Sequence, residues 1–169
     1  MIARVTTLGA LVLVGLLGHS GSSLAGDLRV AAQNMRLAAE LCLRNYRTPA
    51  DTKPAFAAAG YQLSPGLDAG VTNFNAPGVS GGFEAGYCFI QSTDVPLAMA
   101  EEMGLRLAQS LFPGKVELGN PELPVGQPVP PCDGLSVFAT QNLIRISYSA
   151  AGNGGDCIND GSSAIVINM

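Results

Sequence analysis

The spacing of polar and apolar residues changes period several times along the chain, and it is clearest over 83–115. Tyr87, Cys88, Phe89 and Ile90 form an unbroken aromatic and apolar run, which predicts a central strand covered on both faces. Ser92, Thr93 and Asp94 then offer side-chain oxygens to unpaired backbone N–H groups, and Pro96 suits a first helical turn. A helix is therefore predicted over 94–112, with Thr93 as its N-cap. Leu97, Ala100, Met103, Gly104, Leu107, Ala108 and Leu111 fall on one arc of it, opposite Glu101, Glu102, Arg106 and Gln109. Ala100, Gly104 and Ala108 make a small-residue ridge that would let the helix axis approach a sheet closely. Phe112-Pro113-Gly114 ends the helix.

Upstream, residues 28–46 repeat with helical period. Leu28, Ala32, Met35, Ala39, Cys42, Leu43 and Tyr46 lie on one side, and Val30, Leu37 and Leu41 form a second apolar strip, so two sides are expected to be covered. Residues 48–60 predict a shorter helix capped by Thr48 or Thr52, packing through Ala55, Phe56 and Ala59 and stopped at Gly60. Residues 71–76 alternate as a strand, and the turn formers of 77–82 link it to the central strand as a hairpin. Gly81, Gly82 and Gly86 are read as bulges or close backbone contacts; a phosphate loop needs a helix directly after its glycines, and here a strand follows.

Past the main helix, residues 116–118 are at best a short edge strand, and 119–131 form a proline-rich connector over the surface. Residues 135–139 and 143–148 predict a hairpin around Thr140-Gln141-Asn142, with Ile144, Ile146 and Tyr148 on one face and Arg145 and Ser147 on the other. A last strand over 164–169, ending on an apolar run, should be paired inside the sheet. The fold class expected is α+β: N-terminal helices and an antiparallel sheet of about five strands, with one amphipathic helix packed on it.

The start of the chain changes the setting. Arg4, an apolar run over 8–17 and Ser23-Leu24-Ala25 read as a secretory signal peptide cleaved after Ala25, an uncleaved anchor being the alternative. The run is shorter than the roughly 20 residues of a membrane span, and no later stretch reaches that length. The chain from 26 to 169, about 144 residues, is expected to be one soluble domain that is secreted or periplasmic. Cleavage removes Arg4 and the sole histidine, His19; 8 basic residues then face 13 acidic ones, a net charge of −5. That balance argues against nucleic-acid binding. Loss of the histidine excludes Ser-His-Asp and Cys-His catalysis and most catalytic zinc sites.

In an exported chain, Cys42, Cys88, Cys132 and Cys157 imply two disulfides, for which three pairings exist. The preferred one joins Cys42 to Cys88, first helix to central strand, and Cys132 to Cys157 across the C-terminal hairpin. No Cys-x-x-Cys redox pair is present.

Candidate chemistry is sparse. The loop 152–163 crowds Asn153, Asp156, Asn159, Asp160 and Ser162 into a glycine-rich turn whose hard oxygens suit calcium. Its plainer reading is a solvated turn in which Asp and Asn satisfy their own backbone. Arg29, Arg36, Arg44 and Arg47 gather on one side of the first helix as a candidate anion contact, or as a solvated face whose arginines pair with Glu40. The carboxylates Glu84, Asp94, Glu101, Glu102 and Asp133 are the candidates for glycoside hydrolysis, which needs two acids about 5 to 9 Å apart. A Ser-Lys site would need Lys53 or Lys115 buried beside a serine. The expected function is non-enzymatic: an exported binding or envelope-associated protein without a resident cofactor, contacting a protein or envelope component through its exposed loops. The alternative is a carboxylate hydrolase acting on cell-wall or other polysaccharide.

Overall fold

A computed structural model describes residues 21–123, 126–152 and 155–169. Most of the expected signal peptide and Asn153 lie outside them; 21–25 belong to the first turns of helix α1. The described residues hold three helices, α1 (Gly21–Arg44), α2 (Pro49–Ala58) and α3 (Leu97–Leu111). Eight strands accompany them: β1 (Gln62–Pro65), β2 (Thr72–Ala76), β3 (Val79–Glu84), β4 (Tyr87–Ser92), β5 (Val116–Leu118), β6 (Leu135–Ala139), β7 (Asn142–Ser149) and β8 (Ser163–Asn168). The strands make one antiparallel sheet in the order β1-β2-β3-β4-β8-β7-β6-β5.

Pairing register decides which side chains share a face. Cys88 stands opposite Ile167, Ile90 and Tyr148 opposite Ile165, Ile146 opposite Ile167 and Val137 opposite Ile144, all of them buried. Met35, Ala38, Ala39 and Leu43 of α1 and Ala100, Leu107 and Ala108 of α3 complete this layer. Each large aliphatic side chain so placed contributes about 1.5–3 kcal/mol relative to exposure. Helix α1 lies against α3 and across β3, β4 and β8, and α3 against β7 and β8. The small-residue ridge works as its spacing predicts: a methyl group at Gly104 would run into the Tyr148 hydroxyl on β7.

At the β1 end, Phe56 of α2 fills an aromatic cluster, with ring centroids 4.7 Å from Phe74, 4.8 Å from Phe83 and 4.9 Å from Tyr61. The Tyr61 hydroxyl donates to the Asn34 carbonyl at 2.6 Å, tying this cluster to α1. Both disulfides have the expected partners, Cys42–Cys88 and Cys132–Cys157. The last strand is indeed interior, between β4 and β7.

Three expectations are corrected. The sheet has eight strands and not about five: Gln62–Pro65 forms an edge strand, and the stretch read as a linker is β3, turned from β2 by Pro77-Gly78 alone. Gly81 fits because a side chain there would strike the Phe89 carbonyl and the Phe74 ring. The run 87–90 is covered on one face only, with Cys88 and Ile90 buried while Tyr87 and Phe89 are half-exposed. Thr93 is not the cap of α3, which starts at Leu97 behind Pro96 with no side-chain cap. Ser92 ends the strand instead, accepting the N–H groups of Asp94 and Val95 at 3.1 and 3.2 Å and donating to the Gly78 carbonyl at 2.7 Å.

Candidate functional site

Alternation in the strands leaves the second face of the sheet without a helical cover. Along β4 it presents Tyr87, Phe89 and Gln91, each half-exposed. Cross-strand pairing sets Gly82 and Val166 on either side of Phe89, and Ser80 and Ala164 on either side of Gln91. Asn73 and Asn75 of β2 extend these rows beyond Gly82 and Ser80, because residues paired across strands point to the same side. The Gln91 amide donates to the Ser80 hydroxyl at 3.2 Å. The side chains of Asn73, Asn75 and Tyr87 make no hydrogen bond to another described residue.

The Gln91 row runs into a cleft of about 400 Å³, walled by Asn75, Ser80, Gln91, Ser92 and Thr93 and closed by the Ala151-Gly152 turn. Among the described residues no charged side chain lines it. Charges on this face are few: Glu84 stands opposite Tyr87 at the β3–β4 turn, Arg145 on β7 shares the Tyr87 row across Asn168 and pairs with Glu122 at 3.7 Å, and Glu117 lies on edge strand β5. Phe138 and Leu143, 41 and 42 % exposed, pair with each other across β6 and β7.

The residues that sequence reasoning put forward are placed elsewhere. Arg36 and Arg44 both bond Glu40, at 3.0 and 2.8 Å. Arg47 lies over the Tyr46 ring, 5.2 Å from its centroid, and Arg29 is exposed. Exposed i,i+4 ion pairs of this kind are each worth about 0.5 kcal/mol or less. In the glycine-rich loop Asp156, Asn159 and Asp160 are exposed. The Asp156 carbonyl accepts the Ala150 N–H at 2.9 Å, and Asp160 accepts the Ser162 hydroxyl at 2.6 Å and its N–H at 2.9 Å. Those two Ser162 bonds hold the Asp160 carboxyl below the usual carboxylate range. Among the described residues no group of three or more His, Cys, Asp or Glu side chains is placed to hold a metal ion.

The candidate carboxylates are dispersed. Asp133 accepts the Asn120 N–H at 2.8 Å and so braces the β5–β6 connection; Glu102 pairs with Arg106. Asp94 shares a cleft of about 550 Å³ with Asp27, alongside Leu28, Val30 and Pro77, and both carboxylates are exposed. Lys53 and Lys115 are exposed.

Two buried hydroxyls are structural. Burial pushes the Tyr61 hydroxyl up to about 12. Burial first and the Glu101 carboxylate second push Tyr148 well above the usual tyrosine range, and its hydroxyl has no hydrogen-bond partner. The open-face residues escape the sequence reading because 77–82 reads as the turn formers of a link, whereas strand β3 already begins at Val79. Their signal is the parity of Asn73 and Asn75 in 72–76, which becomes meaningful only once β3 is paired beside it. Compared with models of known protein families, with curated proteins and with solved structures, the chain matches none.

Proposed function

We propose that this chain is an exported, disulfide-stabilised binding protein of the cell envelope or its surroundings, without catalytic activity of its own, and that it binds through the open face of its sheet. Export is supported by the two disulfides, which are rare in reducing compartments, and by the leader-like start of the sequence. Among the described residues no helix is long and apolar enough to cross a membrane. The observation that carries the reading is the Tyr87-Phe89-Gln91 line on β4: half-exposed aromatics with the uncommitted amides of Asn73 and Asn75 in the same rows, on a face that no helix covers. Surfaces of this make-up, apolar body with polar tips, are suited to recognition.

A second reading, hydrolysis by paired carboxylates, draws on the Asp27–Asp94 cleft. A general acid working near neutral pH needs an environment that keeps a carboxyl protonated, usually an apolar pocket; these two are exposed. One experiment separates the readings. The purified protein is sedimented with the envelope fraction of the producing cells, and the release of reducing ends from that fraction is assayed alongside. The binding reading expects retention that Phe89→Lys lowers by about tenfold or more, equivalent to about 1.4 kcal/mol, with no sugar released. Release of reducing ends that Asp27→Asn or Asp94→Asn abolishes would favour the hydrolase.

A further inference from the structure

We infer that the ligand of this face is a neutral, hydroxyl-rich chain, a polysaccharide, lying along β4 from Tyr87 over Phe89 to Gln91 and ending in the adjoining uncharged cleft. The inference rests on the binding reading above and names its ligand class.

Three features converge on that chemistry. Tyr87 and Phe89 stand two residues apart on one face of a strand, so their rings are spaced by about 7 Å along it. Phe89 is half-exposed and flanked on the β3 side by Gly82, which sets no side chain of its own against the ring, and an exposed ring face suits a planar, C–H-bearing partner. Past the rings, Asn75, Ser80, Gln91 and Thr93 line the cleft. Amides and hydroxyls both donate and accept hydrogen bonds. A sugar hydroxyl does the same, and a site built to bond hydroxyls discriminates strongly against ligands lacking them.

Charge points the same way. The chain carries 13 acidic and 9 basic residues, yet none of those described lines the cleft. Anionic polymers, phosphate headgroups and nucleic acids need several cations and meet Arg145 on these rows, already paired with Glu122; a cationic ligand meets Glu84 alone beside the aromatics. A peptide strand would add to an edge of the sheet, at β1 or β5, and not to its face. A second copy of the chain would seek the exposed apolar pair Phe138 and Leu143, which lies outside the Tyr87-Phe89-Gln91 line.

The test is a backbone-amide NMR titration of the whole mature chain with cellohexaose, chitohexaose, laminarihexaose and mannohexaose, with polygalacturonate as the charged counterpart. At least one neutral hexasaccharide is expected to shift the amides of 73–75, 80–82 and 87–91, with Phe89→Ala and Gln91→Ala each weakening it by about tenfold. Both variants should melt within about 2 °C of the unaltered protein, as exposed-face changes do. Shifts confined to other elements, binding of polygalacturonate alone on this face, or no shift with any neutral probe would overturn the inference. Face signals that move on dilution without sugar would assign the surface to a second copy instead. If the saccharides fail while envelope retention still depends on Phe89, the ligand class falls and the binding reading stands; if both fail, both fall.

Discussion

Strand β4 puts two unlike surfaces back to back. Toward the helices it turns Cys88 and Ile90, bonded to Cys42 and packed in the core; away from them it turns Tyr87, Phe89 and Gln91, half-exposed and set among amides and hydroxyls. One backbone thus supplies stability on one parity and the proposed recognition surface on the other. The contrast teaches that the two parities of one strand can be read apart, the covered one for what holds the fold and the open one for what the fold presents.

The largest expected effect lies in the two disulfides, which differ in setting. In the loop-entropy account, a closed loop of 46 residues is worth about 4 kcal/mol and one of 25 about 3.5 kcal/mol. Replacing Cys42 and Cys88 by alanine also opens a void in the core, since both are buried, whereas Cys157 is exposed. Denaturant titrations should show the Cys42/Cys88 double variant as clearly the less stable of the two; equal losses would contradict the placement of that bond within the core.

Adjacent residues on β8 sharpen the comparison. Ile165 is fully buried on the covered face and Val166 is half-buried on the open one. Ile165→Ala should cost about 2–5 kcal/mol, and Val166→Ala about 1 kcal/mol or less. Similar costs, measured by chemical denaturation, would mean that the second face is also packed.

A smaller effect concerns the approach of α3. Gly104→Ala forces the new methyl against the Tyr148 hydroxyl and should cost about 1–3 kcal/mol. Tyr148→Phe removes a buried hydroxyl without a partner, so it should be neutral or stabilising by about 1 kcal/mol and should rescue Gly104→Ala when combined. Additive losses in thermal melts would show that the contact is not the cause.

The smallest effect is alkaline. The folded state holds Tyr61 up to about 12, above its unfolded value near 10, so its contribution is complete below pH 10 and is lost as pH rises toward 12. Tyr148 is displaced in the same direction. Stability measured against pH should decline over that window, and Tyr61→Phe should flatten the decline; a profile insensitive to the substitution would place the titration elsewhere.

Much of the covered layer was legible in the sequence, because the physics that makes it is local. Leu97, Ala100, Leu107 and Ala108 carry helical period, and Cys42 falls on the inward side of α1 opposite an apolar strand, which makes its pairing with Cys88 natural. The hairpin of β6 and β7 announced both of its faces by alternation. Strands β1 and β3 were hidden, since Gln, Ser, Pro and Gly have little strand preference of their own and are held there by pairing with β2 and β4. The helix start is predicted at 94 and lies at Leu97, because the Ser92 hydroxyl closes a turn after β4 by accepting the Asp94 and Val95 N–H groups and the helix begins only behind Pro96. Four apolar residues in a row also look alike whether one face of a strand is covered or two, so the open face, and with it the candidate site, emerged only with the register.

The central claim is that Phe89 serves recognition while its neighbour Ile90 serves the core. Sedimentation with native envelope and thermal melting, performed together on Phe89→Lys, test it directly. The account predicts that retention drops by about tenfold or more while the melting temperature stays within about 2 °C. Unchanged retention, or a protein that no longer folds, would contradict it.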